Sequence, residues 1–466
     1  MPVSSDPPPD LLDLPEEELR RLGYWVVDRT IEHLRTLPDR PAITTSSYDE
    51  LVGRLGGPIP RSAHSLDEGL ALLADVALEA QQHGDHPRYF ARVPGPSSPV
   101  AVLGEWLAVG MQAIASSWAG GSGTATLELV ALDWLRDALG LAPTAEGIVL
   151  TGGSIANTTA LIAARAEHGE GVLYLSDQTH SSIARGARAI GWPPDLIRVL
   201  PTDSDLRLRP DTVAAAVRDD IAARLRPSVL VATAGNTNSG ACDDLLALAD
   251  LCREASIWLH VDGAYGGPTA LVPGHELRGL SVADSFVLDP HKWLFQPYDA
   301  ACLWVSRPGA LERTFSMHPE YLTDIQGGPV DLHNRGLELS RHSRAAKLWL
   351  TLRTYGFDAL GQAIGRGIEL ASYAEGLIGD SPQLEVVTPA QRGILTFAVP
   401  GLDDAQHAEV AALVTADGHA ALTSTVIHGR RVLRLCIINP RTTHEDLRST
   451  LELVLDTAAQ VNDLPD

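Results

Sequence analysis

The spacing of apolar positions changes along this chain of 466 residues, and each change predicts a different kind of element. Over 15–37, Leu19, Leu22, Val26, Val27, Ile31 and Leu34 recur at helical intervals, which predicts an amphipathic helix. A Pro- and Gly-rich stretch at 56–60 follows, and a second helical run covers 66–81. Two one-sided helices cannot enclose a core, so this segment is expected to pack onto something else, a partner subunit being one candidate. Residues 1–10, rich in Pro, Ser and Asp, are expected to form a loose tail.

Short apolar runs then replace the helical spacing: GIVL at 147–150, VLYLS at 172–176, SVLVAT at 228–233, IWLHV at 257–261, SFVL at 285–288 and CLWV at 302–305. Such runs read as strands buried on both faces, and the helical stretches between several of them predict an α/β domain with a largely parallel sheet. After a helical stretch at 344–355, the remainder predicts a smaller α/β unit. Its clearest strand is RVLRLCII at 431–438, and Thr443 with Asp446 three residues on has the pattern of a helix-capping box. The expected organisation is an N-terminal helical segment (1–85), a large domain (86–356) and a small C-terminal domain (357–466).

Composition narrows the function. Lys and Arg number 36 against 59 Asp and Glu, a formal net charge of −23, which argues against nucleic acid and membrane partners, since both need a basic face. With 45% hydrophobic and 20% charged residues the chain is neither disordered nor fibrous. No apolar run approaches the roughly 18 residues of a membrane span, and the opening MPVSSDPPPD lacks a basic region before an apolar core, so a cytoplasmic protein is expected. Cys242, Cys252, Cys302 and Cys436 show no metal-type pairing and are expected to be reduced thiols, with no metal site.

In open parallel sheets, ligands collect at the carboxyl ends of the strands. There this sequence places Gly152-Gly153-Ser154 before a helix, then His180, Asp262 and Lys292. A Gly-Gly-Ser turn lets backbone amides approach an anion at a helix N-terminus, but it lacks the lysine of a P-loop and the spacing of a dinucleotide fingerprint. His180 can stack on a planar group or move protons. A carboxylate at the end of an apolar strand, such as Asp262, needs a partner, and a lysine wedged between SFVLDPH and WLF is costly unless paired, neutralised or covalently used. Each alone has a plain structural reading: an unliganded turn, a satisfied histidine, a helix cap, a snorkelling lysine. Together they match what pyridoxal 5′-phosphate requires, namely a phosphate cradle, a ring-stacking group, a carboxylate for the ring nitrogen and a Schiff-base lysine.

The sequence resembles the group II pyridoxal-phosphate-dependent amino acid decarboxylases, which include aromatic amino acid and glutamate decarboxylases. The motifs that carry this run in the family's order over nearly the whole chain: HPRYFARVPGPSSP (86–99), SSWAGG (116–121), TGGSIAN (151–157), SDQTHSSIARGA (176–187), ATAGNTNSGACDD (232–244), HVDGAYGG (260–267), DPHKWLFQPYDAACLWV (289–305) and LSRHSRAAKLWLTLRTYG (339–356). The resemblance implies a fold type I α/β architecture and a homodimer whose N-terminal helices pack across the interface. It implies Lys292 as the Schiff-base lysine, His180 stacked on the cofactor, Asp262 at the pyridine nitrogen and Ala264 beneath the ring. Gly153, Ser154 and His291 are expected at the phosphate, with Thr237 close by. Tyr89, Phe90 and Trp118 match positions lining the substrate side in aromatic-selective members, though ordinary core aromatics remain the alternative. The implied activity is decarboxylation of an L-amino acid, bulky or aromatic, to its amine and carbon dioxide.

Some positions depart from the family. The loop tyrosine that supplies a proton in aromatic decarboxylases is replaced by Leu332, and the adjacent His333 is either a substitute donor or a solvated loop histidine. Ala125-Thr126-Leu127-Glu128 stands where many relatives have Thr-Glu-Leu-Glu, and Asn236 replaces a common threonine. If the proton returns to Cα too slowly, dioxygen can intercept, giving an aldehyde, ammonia and carbon dioxide. Oxidative deamination or another cofactor-dependent cleavage is therefore the alternative activity, and a silent binding protein a third. Arg92 and Arg341 are candidate carboxylate partners that keep acidic substrates open.

Overall fold

The computed structural model describes residues 12–62, 64–93, 95–317, 320 and 328–462. Each apolar run forms a strand: β1 (Glu146–Leu150), β2 (Val172–Ser176), β4 (Pro227–Thr233), β5 (Trp258–Asp262), β6 (Ser285–Leu288) and β7 (Ala301–Val305). An additional strand, β3 (Ile197–Leu200), lies at the sheet edge, where IRVL is only half covered and carries no continuous apolar signal. The seven strands form one sheet in the order β1-β7-β6-β5-β4-β2-β3. Buried Ile148, Val149, Leu173, Tyr174, Leu230 and Val231 alternate between the two faces, so the sheet separates two apolar cores.

The sheet is parallel apart from β7, which runs antiparallel to both β1 and β6. The link from β6 to β7 holds only the single-turn helix Pro290–Trp293, too little for the crossover that a parallel return needs. This return places Lys292 just beyond the carboxyl end of β6.

The C-terminal unit is a four-stranded antiparallel sheet in the order β10-β11-β9-β8, built from β8 (Glu385–Gln391), β9 (Ile394–Ala398), β10 (Thr423–Ile427) and β11 (Arg430–Cys436). The helical run expected at 344–355 continues as Ala345–Asp380 and joins both units, bending at Gly356, whose φ of 73° suits glycine. The capping box forms: the Asp446 backbone N–H donates to Thr443 Oγ1 at 3.1 Å, and that of Thr443 to Asp446 Oδ2 at 2.9 Å.

In the N-terminal segment the helix Glu16–Thr36 forms as expected, whereas the run at 66–81 splits into the helix Leu66–Leu72 and a π turn, Leu73–Ala77. Within one chain the first helix buries only Leu22 and leaves Leu19, Val26 and Ile31 exposed. The expected loose tail lies outside the described residues. All four cysteines are free thiols, three of them buried and Cys242 partly so.

Residues 86–90, assigned by sequence to the large domain, thread along the C-terminal unit. The Phe90 N–H donates to the Ala421 carbonyl at 2.7 Å, and the Cys436 N–H to the Phe90 carbonyl at 3.0 Å. The Phe90 ring sits in that unit's core with Leu370, Phe397 and Leu435. Truncating a ring in such a core removes buried area and leaves a cavity. Phe90→Ala is therefore expected to cost about 3–5 kcal/mol in denaturant unfolding while leaving cofactor affinity unchanged.

Candidate active site

A cavity of about 370 Å³ opens at the carboxyl ends of the parallel strands. Strand topology brings Gly153, Ser154, His180, Thr237, Asp262, Ala264, His291 and Lys292 to its walls, from five separate segments of sequence. Its size suits a small-molecule site.

On one side the helix Gly153–His168 begins at Gly152 without a side-chain cap, and its first-turn residues Gly153, Ser154 and Ile155 line the cavity. Free amides and the helix dipole make this end attractive to an anion. Glycine at 153 is demanded by space, because a Cβ there would lie 2.7 Å from Asp289 Oδ2 and 3.2 Å from the Ala264 Cβ.

Beside this turn, Lys292 Nζ lies 2.9 Å from Asp289 Oδ2, with the Asp289 side chain 1% exposed. Burial works against the ammonium, but Asp289 and Asp262 outweigh it and hold the lysine above its usual range. Asp289 Oδ1 and Thr233 Oγ1 are buried without hydrogen-bond partners among the described residues, a sign that the site is built around a further polar group. Asp262 does not cap a helix: its Oδ1 accepts the Ala264 N–H at 3.1 Å and its Oδ2 accepts from Asn157 Nδ2 at 3.0 Å.

His180 caps the helix Ser181–Ala189, its Nδ1 accepting the Ser182 N–H at 3.3 Å. The neutral ring therefore carries its proton on Nε2. Burial holds its pKa below the usual histidine value, partly offset by Asp262. His291 Nδ1 likewise accepts the Ala300 N–H at 3.1 Å, and its ring lies 4.6 Å from that of Tyr298. The Thr237 carbonyl is held by Arg434 Nε at 2.9 Å.

The family pattern described as "Pyridoxal-dependent decarboxylase conserved domain" matches residues 59–399. The chain belongs to this family. Among the decarboxylase's relatives, an aromatic-L-amino-acid decarboxylase of Bacillus atrophaeus is 38% identical over 97% of this chain and 98% of its own. A phenylacetaldehyde synthase of Arabidopsis thaliana is 30% identical over 96% of this chain and 97% of its own. The crystal structure of Oryza sativa TDC with PLP and tryptamine superposes with a TM-score of 0.92 at 28% identity, covering 97% and 99% of the two chains. The chain is thus a pyridoxal-phosphate-dependent carboxy-lyase of the α/β fold shared by these structures. The crowded glycine turn, the unpartnered polar atoms and the half-buried lysine fit that cofactor.

Other residues singled out in the decarboxylase's sequence lie away from the cavity wall. The Tyr89 hydroxyl donates to Gln82 Oε1 at 2.8 Å, and its ring packs with Ala42, Ala91 and Ala421. Phe90 is in the C-terminal core, and Trp118 starts the helix Trp118–Ala138 beside Leu332. His333 sits against Ser116, whose carbonyl is 3.1 Å from Nδ1. Arg92 is spent on Gln82 Oε1 at 3.0 Å. Arg341 is not a free carboxylate partner: buried, it pairs with Glu128 at 2.7 Å and donates to the Ala115 and Val149 carbonyls.

Two departures from the family turn out to be neighbours. Ala125 and Leu332, both fully buried, share one apolar cluster with Ala115. A methyl at 125 and an aliphatic chain at 332 satisfy each other, so the tyrosine position here anchors its segment instead of offering a hydroxyl.

Proposed function

We propose that the enzyme decarboxylates a bulky or aromatic L-amino acid to its amine and carbon dioxide, acting as a cytoplasmic homodimer. The observation that carries this is the convergence of Lys292, Asp262, His180 and the Gly152–Ser154 turn on one cavity. The aromatic amino acid in the name of one relative and the aromatic aldehyde in the name of another support the substrate class. For the dimer, the support is the exposed Leu19, Val26 and Ile31 of the first helix and Leu103, Leu107 and Met111 on the helix Pro99–Gly110 and just beyond it.

In this reading the amides of Gly153 and Ser154, with His291, would hold the phosphate. Asp262 would pair with the ring nitrogen, His180 and Ala264 would pack against the ring, Thr237 would lie near it, and Lys292 would form the covalent link. Bound pyridoxal phosphate supplies an electron sink for the bond between Cα and the carboxylate. The protein's share is orientation and proton handling. Asp262, its oxygens fixed by Ala264 and Asn157, keeps a negative charge where the sink needs it. Lys292 holds a proton beside Asp289, and His180 presents Nε2–H to the cavity; these two are the groups positioned to return a proton to Cα. His333, tied to Ser116, has no contact with the cavity within one chain, and neither have Tyr89, Phe90 or Trp118, so their assignment rests on the resemblance alone.

The second reading, oxidative deamination, is favoured by Leu332, which offers no proton. A panel of amino acids assayed for carbon dioxide, amine and dioxygen decides between them. Equal amine and carbon dioxide without oxygen uptake is the expected result; oxygen uptake matching aldehyde would establish the oxidative reading.

A further inference from the structure

From Asn157, which lines the cavity beside Asp262, polar side chains run on into a layer that is otherwise apolar. Asn157, His260 and Ser285 are almost completely buried, and Trp258 is fully buried. Trp258 Nε1 lies 2.9 Å from Ser285 Oγ, Ser285 Oγ 2.9 Å from His260 Nδ1, His260 Nε2 2.9 Å from Asn157 Oδ1, and Asn157 Nδ2 3.0 Å from Asp262 Oδ2. We propose that these four residues form a one-way hydrogen-bond relay that holds Asp262 as an anion toward the cofactor's ring nitrogen, with Asn157 and His260 as positioning residues. The inference rests on the assignment of Asp262 to that nitrogen.

The direction follows from donor chemistry. An indole N–H only donates, so Ser285 Oγ accepts from Trp258, and the carboxylate end decides the rest: Asp262 only accepts, so Asn157 gives it an amide N–H and turns its oxygen to His260 Nε2. His260 must then carry its proton on Nε2 and accept from Ser285 Oγ–H at Nδ1. Burial, partly offset by Asp262, pushes the pKa of this histidine down to about 4, which keeps the ring neutral with a single N–H. That N–H meets the Asn157 oxygen and leaves the amide nitrogen to face Asp262. With the proton on Nδ1 instead, Asn157 would turn its amide and set an oxygen against a carboxylate.

Asn157 has a second N–H, which reaches Ser182 Oγ at 3.3 Å, and that hydroxyl is 2.9 Å from His180 Nδ1. One amide therefore orients both the carboxylate and the imidazole of the site. Hydrogen bonds linked in series at low dielectric polarise one another, so a change at Trp258 or Ser285 is felt at Asp262.

The test reconstitutes the enzyme with pyridoxal phosphate labelled with ¹⁵N at the ring nitrogen and reads that nitrogen's chemical shift, alongside kcat. Wild type is expected at the pyridinium position. His260→Phe should move the resonance toward neutral pyridine and lower kcat roughly 10- to 100-fold, the scale found for outer hydrogen-bond partners of metal ligands. His260→Gln, whose amide N–H can replace Nε2–H, should restore both. Ser285→Ala removes one oxygen from the middle of the relay and should shift the resonance the same way, so it decides the matter if the His260→Phe protein does not fold. Asp262→Asn separates the two layers of the argument. If Asp262→Asn leaves the nitrogen protonated, the assignment of Asp262 fails and the relay with it. If Asp262→Asn deprotonates the nitrogen while His260→Phe and Ser285→Ala match wild type, the relay alone is overturned.

Discussion

Lys292→Ala is expected to abolish turnover, and borohydride treatment should no longer fix the cofactor to the chain. The amine is the covalent attachment point in the proposed site, and its neighbour Asp289 keeps it charged until it reacts. Removing it has a second consequence. Asp289, 1% exposed at its side chain, loses the cation 2.9 Å away and keeps only His291 Nε2 at 3.6 Å, so Lys292→Ala is expected to be less stable than wild type. Mass spectrometry of borohydride-treated peptides checks the attachment, and urea melts check the stability. Normal turnover by this variant would refute the Schiff-base assignment.

Arg341→Ala should destabilise the fold by about 3–5 kcal/mol, the range for breaking one half of a buried ion pair. Arg341 is 1% exposed and Glu128 0% at their side chains, and they meet at 2.7 Å. Glu128 Oε1 also accepts the Val149 N–H at 2.8 Å, so the pair ties the helix Trp118–Ala138 to β1. Replacing both members by methionine should recover much of the loss, since desolvation of two charges is then avoided. Urea unfolding of the single and double variants measures this. A raised KM at unchanged stability in Arg341→Ala would instead make the arginine a substrate ligand.

The contrast between Lys292 and Arg341 shows what could be read from the sequence. Both are basic residues in apolar surroundings, and both were singled out as chemically active. Lys292 follows a buried strand, so its place at a carboxyl edge could be foreseen, whereas the partner of Arg341 lies more than two hundred residues away on a helix. The main strands were legible because they are continuous apolar runs. β3 was not, since an edge strand interrupted by Arg198, with Val199 exposed, has no such run, and the reversal of β7 depends on a connection rather than on composition. Asn157 sat in full view within TGGSIAN, but its contact with Asp262 exists only because β1 and β5 belong to one sheet and the helix after β1 crosses it.

The threading of residues 86–90 through the C-terminal unit bears on how the chain is made. Arg88 Nε donates to the carbonyl of His419, 331 residues later, and its Nη1 pairs with Asp446 at 2.9 Å. On a ribosome adding roughly 5–20 residues per second, the early segment waits on the order of tens of seconds for its partners to emerge. During that interval Tyr89 and Phe90 have no native burial, which makes this short stretch a natural site for chaperone engagement on the nascent chain. It also means that the C-terminal unit, made by itself, would lack a piece of its own core.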